Sequence, residues 1–299
     1  MARLAPELLG ESTDLVRAFL QRGKNTDGGF RDRGGRSDLY YTVFGLDGLL
    51  ALQAELPAGV GRYLRSFGGG ENLDFVHLCC LARCWAALGR ADAGGIRDVI
   101  LQRLERHRTP DGGYHLTPGP GQGSAYGCFL ALGAYQDLSA RPPDEPGLVR
   151  CLAVQVRPDG SWSNRPPDPD SAGAGRAEEG SALATAAAVA VLRHFDSPVA
   201  PNTGDWLLAR AHPQGGFRAA PKAPLPDLLS TATALHALAS LGLSCAPRRE
   251  VLVDFLDSLW TNEGGFHGHW ADDHVDTEYT FYGLLALGHL VELGVSPTD

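Results

Sequence analysis

"PQGGFRAAPKAPLPDLLSTATALHALASLG" (residues 213–242) strings together a Gly-Gly-aromatic turn, a Pro-rich loop, one acid and an Ala-rich apolar helix. The acid, Asp227, follows Pro226 and stands where a helix N-cap belongs. The helix behind it is apolar on nearly all sides, so it must be buried all round. Its small side chains allow neighbouring helices to approach closely.

The same module recurs along the chain. "DGGF" stands at 27–30, "DGGY" at 111–114, "DGSW" at 159–162, "QGGF" at 214–217 and "EGGF" at 263–266, with a worn copy, "SFGGGEN", from Ser66. Apolar helices are expected after these turns at 39–53, 74–88, 124–137, 180–194, 228–241 and 277–290. Shorter amphipathic helices are expected before them, near 12–22, 58–66, 95–107, 146–155, 203–211 and 248–259. Repeats of this kind stack one supersecondary unit on the next. An all-round apolar helix paired with an amphipathic one predicts an inner ring wrapped by an outer ring. The first and last units also resemble each other, "SDLYYTVFGLDGLLAL" against "VDTEYTFYGLLAL". Units meeting as neighbours would match in this way, so a closed ring is expected rather than an open solenoid. The predicted fold is all-α: a closed α/α toroid of six helix pairs forming one domain over residues 1–299.

Composition is that of a globular chain able to bury a core, with 43% hydrophobic and 20% charged residues among 299. A net charge of −9 offers no general attraction for nucleic acid or an anionic membrane. No apolar run reaches the roughly 20 residues needed to cross a bilayer, and the N-terminus lacks a signal-peptide pattern. A cytoplasmic protein is expected. Cys79, Cys80, Cys84, Cys128, Cys151 and Cys245 form no Cys-x-x-Cys pair and read as buried free thiols.

The Gly-Gly-Phe turns, the six-fold repeat and "PDLLSTATALHALASLG" resemble the superfamily of prenyltransferase β subunits and squalene-type terpene cyclases. The resemblance covers essentially the whole chain and is specific for fold rather than reaction. It implies a protein that handles an isoprenoid or other apolar small molecule in a central cavity. Prenyltransferases of the family hold zinc with an Asp-x-Cys pair opening the fifth inner helix and a His near the start of the sixth. Those positions fall on Asp227, Leu229 and Tyr279. Leucine cannot coordinate and tyrosine is a poor zinc ligand, so no cofactor is expected. The family's diphosphate cluster would draw on Lys222 and Arg218. Ser230 replaces its tyrosine, and Glu178, beside Arg176, stands near the position of a histidine. The cyclase branch uses an Asp-rich motif, and no Asp-x-Asp-Asp occurs; "DPDS" (168–171) and "ADDHVDTE" (271–278) are the nearest acidic runs.

A single acid can replace that motif if burial raises its pKa. The repeat places Asp227, Glu179 and Asp276 at the mouths of inner helices as candidate catalytic acids. Asp38, Asp74 and Asp276 share the register of Asp227, which speaks for capping, and helix N-termini should lower these pKa values. Tyr40, Tyr41, Tyr126 and Tyr279 suit an isoprenoid-lined wall or ordinary packing. His77, three residues past Asp74, suits a phosphate site or a rim role, and His236 reads as structural. "HGHWADDHVDTE" (267–278) gathers three His and four acids that suit either a metal or a solvated loop. The long loop at 165–180 could cover the mouth. Three functions remain open: a prenyltransferase-like transferase without its zinc, a small class-II-type cyclase, and a non-catalytic toroid binding a lipid or, on its surface, a protein partner.

Overall fold

The expected helix pairs recur in every unit of the computed structural model, which describes residues 1–89, 95–164 and 179–294. The outer helices are α1 (Thr13–Arg22), α3 (Val60–Arg65), α5 (Ile96–Leu104), α7 (Glu145–Gln155), α9 (Thr203–Leu208) and α11 (Arg249–Leu259). The inner helices are α2 (Leu39–Ala51), α4 (Phe75–Ala87), α6 (Ala125–Asp137), α8 (Ala182–His194), α10 (Leu228–Ser240) and α12 (Thr277–Glu292). Each inner helix packs against the next, and α12 returns to pack on α2 as closely as any other neighbours do. The ring is closed.

The outer ring closes by the same device that spaces it. The first glycine of each intact turn has positive φ: Gly28, Gly112, Gly160, Gly215 and Gly264. A Cβ on any of them would lie under 3.0 Å from the start of the following outer helix, near Gly59, Gly147, Thr203 and Val251 in turn. For Gly264 that helix is α1, met at Leu15. Glycine is therefore required twice over, by backbone angle and by contact.

A repeated hydrogen bond fastens each turn to its inner helix. The N–H of Phe30, Phe217 and Phe266 donates to the hydroxyl of Thr42, Thr231 and Thr280 at 2.9, 2.9 and 3.3 Å. Each hydroxyl in turn donates to the carbonyl of the capping residue, Asp38, Asp227 or Asp276, at 2.6–2.7 Å. Trp162 uses Thr185 in the same way at 3.1 Å, and Tyr114 uses the Cys128 thiol at 3.4 Å. The worn second unit has Leu78 at this position and Glu71, not an aromatic, after its glycines.

Three of the turns, expected as loops, extend into short antiparallel hairpins. β1 (Phe30–Arg31) pairs with β2 (Ser37–Asp38), β3 (Phe217–Arg218) with β4 (Pro226–Asp227), and β5 (Phe266–His267) with β6 (Val275–Asp276). In each, the aromatic lies opposite the helix cap. The capping residues Asp38, Asp227 and Asp276 are extended, which lets them pair with the aromatic side of the loop.

One hydrophobic cluster runs through all the units, and all six cysteines are free and buried. Among the described residues no helix is long and apolar enough to cross a membrane.

Replacing Thr231 by valine should cost about 1–3 kcal/mol in urea unfolding, because the Phe217 N–H is left buried without an acceptor. An unchanged unfolding midpoint would show that the bond does not hold the turn.

Candidate functional site

Every inner helix begins with a side-chain cap at the same rim of the toroid. Asp38, Asp74, Ser124, Ser181, Asp227 and Asp276 each accept a hydrogen bond from a backbone N–H in the first turn. Counted from these caps, the second, fifth, sixth and ninth residues of the inner helices face inward. All of these but Ala232 and Glu278 line a cavity of about 400 Å³, and Glu278 meets it through its bond to Tyr40. Helical periodicity sets the series, since these positions share one face.

The layers differ in chemistry. The second residues after the caps are Tyr40, Val76, Tyr126, Leu183, Leu229 and Glu278. Below them lie Val43, Phe44, Cys79, Cys80, Phe129, Leu130, Ala186, Ala187, Thr233, Phe281 and Tyr282. Phe44 meets Tyr40, Phe281 and Tyr282 with ring centroids 4.9–5.7 Å apart. At the ninth position stand Asp47, Arg83, Gly133, Ala190, His236 and Leu285. About 1.5 Å of rise per residue separates the second and ninth layers by about 10 Å.

Glu278 is the only acid in the upper layer. The Tyr40 hydroxyl donates to its Oε1 at 2.6 Å, joining the first and last inner helices across the seam of the ring. Burial raises its pKa from 4.5 to about 7, with Asp276 adding to the rise and Tyr40 opposing it. Burial likewise pushes the phenols of Tyr40, Tyr126 and Tyr282 far up, so they stay neutral.

Above this layer a second, more polar recess of about 450 Å³ is lined by Asp32, Arg33, Asp38, Tyr40, Tyr41 and His77. Its cations are already engaged. Arg33 Nε bonds Asp276 at 2.8 Å and its Nη2 bonds Asp272 at 2.8 Å. His77 reaches Asp38 at 3.3 Å and Asp74 at 2.8 Å. The bond to Asp38, followed by those to Asp74, raises the imidazole pKa to about 9 against the opposing effect of burial.

The residues singled out from the sequence fall into separate places. Asp227 caps α10, accepting from the Ser230 N–H and hydroxyl at 2.7 Å each. Its pKa is raised by burial rather than lowered by the helix terminus, because desolvation outweighs those two bonds. Asp276 caps α12 and is held by Arg33. Glu179 is ion-paired with the exposed Lys222, and these two and Arg218 line neither recess. Tyr41 and His77 line the mouth, and burial raises Tyr41 to about 12. Tyr279 lies under the Arg33 guanidinium at 5.4 Å. Tyr126 lines the cavity, and so does His236, whose Nδ1 lies 3.2 Å from His289 Nε2. Glu178, Arg176, the run at 168–171 and most of the 165–180 loop lie outside the described residues.

The positions of the family zinc do not fit a metal. Both oxygens of Asp227 are taken up by Ser230, and Leu229 presents only carbon to the cavity. In the 267–278 loop, Asp272 and Asp276 are committed to Arg33. Among the described residues no group of three His, Cys, Asp or Glu side chains is arranged to hold a metal ion.

Glu278, Arg33, Asp47, Arg83 and Asp137 escaped the sequence reading. The signal was available for Glu278, since aligning "SDLYYTVF" with "VDTEYTFY" places it in the register of Tyr40.

A closed ring of helix pairs with all inner-helix caps around one cavity mouth defines an α/α toroid. Residues 8–77 and 181–293 match the family described as the prenyltransferase alpha-alpha toroid domain, and the chain belongs to that family. No curated protein matches it in sequence. Among solved structures it is similar to a variant of the type II terpene cyclase MstE from Scytonema in complex with geranylgeranyl dihydroxybenzoate. That match has 16% identity and a TM-score of 0.62, covering 97% of this chain and 98% of the other. Candida albicans protein geranylgeranyltransferase-I complexed with GGPP gives 15% identity and a TM-score of 0.65, covering 93% and 90%. An inactive variant of an alpha-1,6-mannanase from Salegentibacter, in complex with alpha-1,6-mannotriose, gives 13% and 0.63, covering 95% and 99%. At these identities the likeness is one of fold, and the mannanase makes the point directly.

Glu278 should titrate near pH 7 when followed by NMR. Below pH 4.5 it is protonated in both folded and unfolded chains. Between pH 4.5 and about 7 only the unfolded chain loses the proton, so the Glu278 contribution to stability falls as pH rises through that window. Glu278→Gln should flatten this slope, and an unaltered slope would show that the carboxyl titrates normally.

Proposed function

We propose that the chain binds a linear isoprenoid in the central cavity and cyclises it by proton transfer from Glu278. The observation that carries this is the Tyr40–Glu278 pair: a carboxyl with its pKa raised to about 7, bonded to a tyrosine that lines the mouth end of an apolar, aromatic-walled cavity. A general acid works best with a pKa near the operating pH. Tyr40 holds one carboxyl oxygen, and the proton resides on the other.

The chemistry balances without a cofactor. The Glu278 proton adds to one carbon of a terminal C=C, or to an epoxide oxygen, and leaves a tertiary carbocation. The π electrons of the next C=C form the new ring bond and pass the cation along the chain. Loss of a proton from a neighbouring carbon restores an alkene, and the proton returns to the Glu278 carboxylate or to water. Substrate and product are isomers. The π faces of Tyr40, Phe44, Phe281 and Tyr282 favour a cation in the cavity, and the apolar walls keep water from trapping it.

The transferase alternative has less support. A diphosphate at the mouth would compete with Asp272 and Asp276 for Arg33 and with Asp38 and Asp74 for His77. Lys222 is engaged by Glu179. The substrate is therefore neutral at the end near the mouth. Two neighbours in fold carry geranylgeranyl ligands, geranylgeranyl dihydroxybenzoate and GGPP, which agrees with an isoprenoid chain.

Incubation with neutral all-trans polyprenes in D2O should give a cyclic isomer carrying one new C–D bond, and their terminal epoxides should give a cyclic alcohol whose deuteron lies on oxygen and exchanges. Glu278→Gln should slow its formation by on the order of 10²–10⁴-fold while leaving ligand binding intact. In the wild type the rate should decline as pH rises through about 7. Tyr40→Phe removes a bond that lowers the acid's pKa, so it should move that decline to higher pH. Binding without turnover would leave a non-catalytic carrier, and turnover that survives Glu278→Gln would reject the assigned acid.

A further inference from the structure

The deep end of the cavity carries charges that the proposed chemistry does not use. Arg83 on α4 stands between Asp47 on α2 and Asp137 on α6, with Nε bonded to Asp47 at 3.1 Å and Nη1 bonded to Asp137 at 2.9 Å. Nη2 also lies 3.1 Å from Asp47. All three residues line the cavity. The carboxylates are only 13% and 12% exposed, whereas the Arg83 side chain is 48% exposed.

Two largely buried carboxylates facing an apolar chamber are costly, and well-packed apolar side chains in their place would serve stability as well or better. The same layer already carries Gly133, Ala190 and Leu285 on other helices. Stability alone therefore gives no reason for the cluster. A guanidinium has five N–H donors, and those directed to Asp47 and Asp137 leave others on Nη1 and Nη2 without a partner among the described residues. The second oxygens of the two carboxylates remain as acceptors. Burial raises the pKa of both acids while Arg83 opposes the rise.

The geometry points to a head-group site at this deep end, formed by Asp47, Arg83 and Asp137, that takes a neutral oxygen function, a hydroxyl or carbonyl, at one end of the isoprenoid. This rests on the cavity-binding reading above and deepens it. The free N–H groups donate to the oxygen, and a carboxylate accepts from it when it is a hydroxyl. Two acids against one arginine disfavour an anionic head such as a diphosphate. With the head at the ninth layer and Tyr40, the partner of Glu278, in the second, the far end of the chain meets the Tyr40–Glu278 pair about 10 Å away along the helix axes. The ligand therefore enters head first, and protonation begins at its tail.

Binding of farnesol, the hydrocarbon farnesene and farnesyl diphosphate to the full chain, followed by calorimetry, tests this. The wild type should favour farnesol over both by about tenfold to hundredfold, the range expected of hydrogen bonds to a charged group. Arg83→Met alone strands two buried acids and threatens the fold. The decisive variant is the triple change Asp47→Leu, Arg83→Met, Asp137→Leu, which removes all three charges together so that none is left unpaired. It should bind farnesene at least as well as the wild type does and lose the preference for farnesol. A triple variant that keeps the preference would overturn the head-group site while leaving cavity binding intact. A wild type that binds farnesene as tightly as farnesol would do the same. A wild type that binds none of the three would overturn the cavity reading itself and this site with it.

Discussion

The hydrogen bond from a turn aromatic to a helix threonine is the interaction on which the rest of the toroid depends. One hydroxyl accepts from the backbone N–H of Phe30, Phe217 or Phe266 and donates to the carbonyl of the helix cap. It satisfies two buried backbone groups at once. In the units that carry it, it also fixes the turn to the fourth residue of the inner helix, so these units present the same helix positions inward. The aromatic ring then fills the space that a missing side chain leaves: a Cβ on Gly45 or Gly283 would run into Phe30 or Phe266. Turn, helix register and cavity wall are thus set by one contact repeated around the ring.

Much of the architecture was legible because it rests on repetition. The turn glycines, the cap register and the contrast between Ala-rich and amphipathic helices each recur, and recurrence is visible in a single sequence. The twelve paired helices fall within a few residues of their expected bounds. The hairpins were not anticipated because two-residue strands have no periodicity to detect. They arise from the extended backbone that the aromatic and the cap both need.

The candidate site was less legible, since its chemistry depends on departures from the repeat. Asp227 drew attention as a lone acid before a greasy helix, yet its oxygens are spent on Ser230. Glu278 looked like one charge in an acidic loop, and only the ring closure brings it against Tyr40, 238 residues away. Asp47, Arg83 and Asp137 are unremarkable in sequence because each belongs to a different helix. Their meeting is a property of the inner face. Capping accounts for the acids at the rim, and desolvation singles out the one below it.

The Tyr40–Glu278 bond lies on the seam where the first unit meets the last. A chain made from its N-terminus presents Tyr40 long before Glu278 exists, and contacts of such sequence separation form late. A partly assembled ring of five units could hold a greasy ligand but would have no partner for the tyrosine. The Tyr40–Glu278 bond therefore comes into being only when the circle is complete.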